Sequence, residues 1–239
     1  MSDSPVNINC DLGEGMHNEE VIMPLIQSCN IACGGHAGDE ETMKRVVALA
    51  KAHHVAIGAH PSYPDRENFG RVSVHMPAEE LKKALKKQLE DFEQALEQNK
   101  ARLHHIKAHG ALYNDLAKDP DLVATYLDVV EKYKDIAMLY VPYDSVIQKK
   151  AISRGFSVAI EAFGDRNYTE TLKLVSRKLP NALITEKEKV LDHIRAISKG
   201  KVVTETGKEL PIQADTICIH SDTENAVAIL HYLNEHMNS

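Results

Sequence analysis

The sequence predicts a parallel β/α barrel, irregular and TIM-like, with about seven strands. Short apolar runs alternate with helical patterns along the whole chain, as a parallel α/β architecture requires. The runs are brief and continuously apolar, as expected of strands buried on both faces. Polar residues follow nearly every run. An open doubly wound sheet would gather its ligand groups at one switch point, whereas a barrel collects them from the ends of most strands.

The first strand is expected over residues 6–12 and the second over 29–33. Met43, Val46, Val47 and Ala50 then mark a helix, and the third strand follows at 55–59. Residues 61–76 form a polar connection too long for a tight loop, read as a lid or site wall. Leu81, Leu85, Leu89, Phe92 and Leu96 stripe a long helix whose Lys82-Lys83 and Lys86-Lys87 face solvent. The fourth strand is expected at 105–109. Asp119-Pro120 opens the next helix with a cap residue and a proline, and Val123, Tyr126, Leu127 and Val130 line its buried face.

A fifth strand at 137–142 leads to Val146, Ile147 and Ala151, a helix that stops at Gly155. The sixth strand, Val158–Phe163, is followed by a helix with Val190, Leu191, Ile194 and Ile197 that ends at Gly200. Residues 201–213 read as a hairpin turning at Thr206-Gly207-Lys208. The seventh strand is expected at 216–220. Ser221-Asp222-Thr223-Glu224 then resembles a capping box for a last helix carrying Ala226, Leu230 and Leu233. Without a linker or low-complexity tract, residues 1–239 read as a single domain.

Composition narrows the function classes. The chain is 43% hydrophobic and 26% charged, with a formal charge of −7, an ordinary globular balance. The acidity argues against nucleic acid, whose backbone needs a basic face. No apolar run approaches the roughly 20 residues of a membrane-spanning helix. The opening Met-Ser-Asp-Ser-Pro has neither a basic segment nor a signal core, so a cytoplasmic location is expected. Cys10, Cys29, Cys33 and Cys218 sit in or beside apolar runs and are expected to be buried, inert thiols. The unusual figure is 13 His beside no Trp.

Strand ends collect the chemistry. Asp11, Gly13 and Glu14 follow the first; Gly34, Gly35, His36 and Asp39 the second; His60, Asp65, Arg66 and Arg71 the third. Lys107 and His109 belong to the fourth, with Tyr113 and Asn114 beyond. Glu161, Asp165 and Arg166 belong to the sixth, and His220, Ser221 and Asp222 to the seventh. In a barrel these ends converge on one mouth, where carboxylates, imidazoles and cations suit general acid–base hydrolysis. Each has a plainer reading. Asp11 and Glu14 could cap a helix, the glycines could serve turns, and a lone strand-end His is usually structural. His53, His54, His104, His105, His231 and His236 are assigned that structural or solvated role. Lys107 inside an apolar strand is costly unless paired or lining a cavity.

Asp11, His36 and His60 could together hold a divalent metal, although no HExxH-type spacing supports it. The P-loop pattern GxxxxGK[ST] is absent from the sequence.

At these strand ends the chain resembles the LamB/YcsF family, which supplies the A component of bacterial 5-oxoprolinase. The matching segments are NCDLGE from Asn9, NIACGGHAGD from Asn30, GAHPSYPD from Gly58, KAHGALYN from Lys107, EAFGDRNY from Glu161 and ICIHSD from Ile217. The likeness runs almost end to end. Gly35 stands where the family pattern has an aromatic, Ser62 and Ser221 where it has Gly, and Ala108 where it has Pro. Residues 169–178 lack its Asp-Gly turn.

The resemblance implies a seven-stranded barrel and ATP-dependent opening of 5-oxoproline to L-glutamate, in a complex with the B and C subunits. It makes ATP a co-substrate of that complex; because this sequence has no recognisable ATP motif, activation is expected of the partners and hydrolytic opening of this barrel. Asp11, Glu14, His36, His60, Lys107 and His109 are the expected catalytic set. Asn9, Asn30, Gly35, Arg66, Arg71, Tyr113, Glu161, Asp165, Arg166 and His220 are the expected substrate contacts. Two other functions stay open on the residues: a metal-dependent hydrolase or deacetylase acting without partners, and a non-catalytic small-ligand sensor.

Overall fold

Polar or small residues alternate with apolar ones in most barrel strands, and the computed structural model, which describes residues 6–237, shows what that alternation builds. The Met1 to Pro5 segment, expected to lack a signal core, lies outside the described residues. Seven parallel strands close into a barrel: β1 (Asn7–Leu12), β2 (Ser28–Ala32), β3 (Ala56–His60), β4 (His105–Ile106), β5 (Met138–Pro142), β6 (Val158–Phe163) and β9 (Thr216–Cys218). The closing pair is β9 with β1, where Ile8 stands beside Ile217 and Asn9 beside Cys218.

The outward residues Ile8, Cys10, Cys29, Ile31, Ile57, Ala59, Ile106, Leu139, Val141 and Ile217 are buried against the surrounding helices. The inward ones hydrogen-bond across the barrel. Asn9 Nδ2 donates to Thr216 Oγ1 (2.8 Å), Asn30 Nδ2 to Asn9 Oδ1 (2.7 Å), and Tyr140 OH to Ser28 Oγ (3.2 Å). The expectation of continuously apolar strands is therefore corrected: the pattern has a period of two, apolar outside and polar inside. Gly58 makes room for this interior, because a Cβ there would lie 2.1 Å from His105 Nε2.

The helices follow the sequence signals closely. α2 (Glu40–Ala52) is capped by Asp39, α5 (Pro120–Val130) by Asp119 and α6 (Val146–Ser153) by Ser145, each side chain accepting from an otherwise unpaired backbone N–H. α3 (Ala78–Asn99) buries the expected Leu81, Leu85, Leu89, Phe92 and Leu96. Gly155 and Gly200 adopt the left-handed backbone that ends α6 and α7 (Lys187–Ser198). The short α1 (Glu19–Ile22) and α4 (Gly110–Leu116) were not foreseen. The hairpin is present as β7 (Lys201–Val203) and β8 (Glu209–Pro211). Among the described residues no helix is long and apolar enough to cross a membrane, and all four cysteines are free and buried.

Two further expectations are corrected. The fourth strand pairs in the ladder only at His105 and Ile106, although the N–H groups of Lys107 and His109 still donate to Ala59 and Pro61. The expected capping box does not open the last helix, since α8 begins later, at Ala226–Met237. Ser221 Oγ instead donates to the Asp11 carbonyl (2.6 Å) and Thr223 Oγ1 to Asp165 (2.5 Å), both toward the barrel mouth.

Candidate functional site

Lys107 sits at the centre of the barrel, 2% exposed, and three acceptors surround its ammonium. Asp11 Oδ1 lies 2.9 Å away, Glu161 Oε1 3.0 Å and Cys218 Sγ 3.2 Å. Burial alone would lower its pKa, but Asp11, Cys218 and Glu161 more than reverse this and hold the lysine charged. Asp11 shows the converse. Burial pushes it up, while His60 and Lys107 bring it well below the usual carboxylate range. Asn30 Nδ2 also donates to Asp11 Oδ1 (2.7 Å), so the second oxygen, Oδ2, is the one left facing the imidazoles. Tyr113 is buried beside Glu161; that burial and the carboxylate's charge raise its phenol.

Above this ion cluster lie three imidazoles. His36 and His109 stack face to face, with centroids 3.6 Å apart, and His60 meets both edge-on. His36 Nε2 contacts Glu14 Oε1 at 2.9 Å. His60 Nδ1 lies 2.8 Å from the Lys107 carbonyl, and His109 Nε2 lies 3.0 Å from the Phe69 carbonyl. A carbonyl only accepts, so each of those nitrogens carries a proton. Burial lowers the pKa of His36 and His109 well below the ordinary value and raises that of Glu14.

A second acid–imidazole unit stands at the end of β9. Asp165 is fully buried and takes the Nδ1 proton of His220 (3.0 Å), the His220 backbone N–H (2.9 Å) and the Thr223 hydroxyl. Burial raises its pKa, but His220 and Thr223 outweigh that and bring it down to about 2. His220 makes both ring contacts with Asp165 through Nδ1, so Nε2 is the nitrogen it has left for other partners. Its side chain is 13% exposed, against 0–5% for His36, His60 and His109, so it is the imidazole most open to an incoming ligand.

The long connection after β3 is a pinned wall. Gln88 of α3 bonds both the N–H and the carbonyl of Ser62, Tyr63 OH donates to Asp115 (3.1 Å), and Arg71 pairs with Asp222. Gly70 packs so tightly that an added Cβ would sit 2.9 Å from His36 Cβ. Gly35 and Ser62 are sterically linked: a Cβ at position 35 would fall 2.5 Å from Ser62 Oγ and 2.4 Å from Gln88 Oε1. Positions 35 and 62 therefore compete for one volume.

The structure thus brings Asp11, Glu14, His36, His60, Lys107 and His109 into one cluster, with Asn30, Glu161 and Tyr113 against it and Asp165–His220 beside it. Asn9 lies one layer deeper. The three arginines are placed differently. Arg66 is exposed and donates to the carbonyls of Gly34 (3.2 Å) and Gly38 (3.0 Å). Arg166 is buried, at a pKa lowered to about 10 by that burial, and donates to the carbonyls of Val175 and Ala182. Arg71 shares Asp222 with Arg177, which closes two loops over the mouth.

Sequence reasoning passed over Cys218, Thr223, Phe69 and His105. His105 lines the interior, with Nε2 2.7 Å from Asn30 Oδ1 and its ring stacked on Tyr140. The signal for two of these was parity: His105 shares it with Lys107 and His109, and Cys218 with Thr216 and His220. For metal, the residues whose donor atoms converge within 4.8 Å are Asp11, Glu14, His60 and His109, and separately Asp11, Cys218 and His220. The sequence candidate His36 belongs to neither set; it contacts Glu14 instead.

The chain is similar to known proteins over nearly its whole length. The crystal structure of a lactam utilization protein from Thermus thermophilus superposes with a TM-score of 0.87 at 33% identity, covering 97% of both chains. The 5-oxoprolinase A subunit from Vibrio cholerae serotype O1 is 38% identical over 238 residues, 96% of each chain. Its counterpart from Staphylococcus aureus is 38% identical over 236 residues, 96% of this chain and 94% of the relative. The LamB/YcsF family model matches residues 6–239, and the chain belongs to that family.

Proposed function

We propose that this chain is the hydrolytic subunit of an ATP-dependent 5-oxoprolinase, opening 5-oxo-L-proline to L-glutamate together with partner subunits B and C. The observation that carries the reading is a buried cluster of carboxylates and imidazoles within a chain that matches 5-oxoprolinase A subunits over nearly its full length. A lactam is a poor electrophile, and the P-loop pattern is absent from this sequence. The partners therefore phosphorylate the lactam oxygen with ATP, and this barrel receives the activated ring.

Opening needs a base for water, a proton for the ring nitrogen and donors for the developing charge. Asp11 Oδ2 and Glu14 face the imidazole cluster, and one of these two carboxylates takes the water proton. Water adds to C5 of the phosphorylated lactam, and the C5–N bond then breaks. His220, oriented by Asp165, delivers the proton that makes the nitrogen a free amine. The product of that step is an acyl phosphate, which a second water converts to glutamate and phosphate. Lys107 keeps Asp11 ionised from below, while His36 and His109 flank the reacting carbon. Arg71, paired with Asp222 at the mouth, is the cation assigned to a substrate phosphate or carboxylate. The four free thiols and the use of ATP fit a cytoplasmic location.

The test is reconstitution with candidate B and C subunits and assay of ATP-dependent glutamate release. Glutamate formation that needs all three chains supports the proposal, and formation indifferent to this chain removes it. A metal hydrolase acting alone is the second reading, favoured by the convergence of Asp11, Glu14, His60 and His109. It requires turnover of an amide or ester by the isolated chain without ATP.

A further inference from the structure

We infer that Asp11, Glu14, His60 and His109 form the binding site of one divalent transition-metal ion. The inference stands on geometry and does not depend on which substrate the barrel opens. The backbone fixes both tautomers: His60 Nδ1 donates to the Lys107 carbonyl (2.8 Å) and His109 Nε2 to the Phe69 carbonyl (3.0 Å). When both rings are neutral, the remaining nitrogens, His60 Nε2 and His109 Nδ1, point lone pairs at each other across 3.0 Å. Asp11 Oδ2 lies 3.4 Å from the first; Glu14 Oε1 lies 3.4 Å from the second and 3.9 Å from the first. With both rings neutral and both carboxylates ionised these four atoms are all acceptors, and a proton or a metal cation between them relieves their repulsion.

A proton shared by the two imidazoles bridges one of these contacts only. A metal ion serves all four. Ligands about 2.0–2.1 Å from a tetrahedral ion stand about 3.3 Å from one another, and four of the six separations here, 3.0, 3.4, 3.4 and 3.9 Å, bracket that figure. Two imidazoles and two carboxylates form a donor set that suits zinc, manganese, cobalt or iron. The surroundings match a metal site as well. Metal-bound histidines usually donate their other N–H to a carbonyl or carboxylate, as both do here. Asp11 is steadied by Lys107 and Asn30 through its other oxygen, and Glu14 by His36 Nε2 (2.9 Å). Two carboxylates and two neutral imidazoles balance a divalent charge.

The experiment is metal analysis on the isolated full chain after stripping with a chelator and reloading separately with zinc, manganese and cobalt. One ion per chain is expected from at least one metal, with a rise in melting temperature on reloading. Cobalt should show the visible bands of an N/O-ligated, low-symmetry ion. His109→Gln should abolish retention, and His36→Gln should weaken it by about 10–100-fold, as loss of an orienting partner does. The wild-type melting shift needs no variant, so a misfolded mutant cannot obscure the answer. Retention of less than a tenth of an equivalent of every metal, with no melting shift, overturns the inference and assigns the cluster to a shared proton. Failure of lactam hydrolysis with metal bound would leave this site standing and remove only the proposed reaction.

Discussion

Replacing Lys107 by Met tests the ionic centre of the barrel. The side chains are of similar length, so the change removes charge with little change of volume. Its ammonium lies 2.9 Å from Asp11 and 3.0 Å from Glu161. At an effective dielectric constant near 20, each contact carries about 5–6 kcal/mol of gross attraction. Desolvation of the ions offsets much of that. Removing one partner of a buried pair nevertheless leaves uncompensated charge and costs about 3–5 kcal/mol. Lys107→Met should therefore lose about 3–5 kcal/mol in urea denaturation at pH 7. The double variant Lys107→Met/Glu161→Gln should recover at least about 1 kcal/mol of that loss. The pH dependence has a definite sign. Asp11 titrates below its unfolded value, so its contribution is full above that value and fades as pH falls through the folded pKa. Without the ammonium its folded pKa rises, and the deficit of the variant should shrink below about pH 4. A loss under about 1 kcal/mol, or a deficit unchanged between neutral and acid pH, would refute the buried ionic centre.

The same arithmetic gives Asp165, at about 2 against an ordinary 3.8, roughly 2 kcal/mol of stability at neutral pH. That stability is present above about pH 4 and lost toward pH 2, so Asp165→Asn should flatten the acid limb of a urea-midpoint profile. In the reconstituted enzyme His220→Asn should lower kcat by about 100- to 10,000-fold with little change in KM, and an unchanged kcat would exclude proton delivery by His220. Gly58→Ala places a methyl 2.1 Å from His105 Nε2 and should cost about 1–3 kcal/mol in thermal or urea unfolding. His105→Ala in the same chain should relieve the clash, and additive losses would count against the contact.

The barrel was legible because its signals are local. Asp119, Gly155 and Gly200 act within one turn of backbone, and the hairpin at 201–213 is closed by its own residues. Most of the site was legible as composition at strand ends. Its geometry was not, because that depends on pairing across the sheet. The capping pattern at Ser221 matched a short-range rule, yet two acceptors distant in sequence, the Asp11 carbonyl and Asp165, hold Ser221 and Thr223 instead. Arg66 and Arg166 carried the charge expected of ligand contacts, but glycine-loop and long-loop carbonyls engage them. His105 differs again. Its alternation with Lys107 and His109 was visible in the sequence, but reading the strand as continuously apolar concealed it.

The ladder in β4 ends early for a reason that ties fold to chemistry. A carbonyl inside a parallel ladder gives one lone pair to a neighbouring N–H, whereas one beyond the ladder keeps both for other donors. By leaving the ladder after Ile106, the chain frees the Lys107 carbonyl to hold His60 Nδ1. Phe69, on the long connection after β3, does the same. Its left-handed backbone, φ 55°, costs about 1–3 kcal/mol for a residue with a side chain, and its carbonyl holds His109 Nε2. Gly70 follows with φ 61° where any Cβ would press on His36. Both departures from regular structure thus end in a carbonyl aimed at an imidazole, and each leaves the opposite ring nitrogen bare. The irregular backbone determines which atoms of the site can accept a proton or a metal. Moving either carbonyl would change the chemistry without altering any side chain in the cluster.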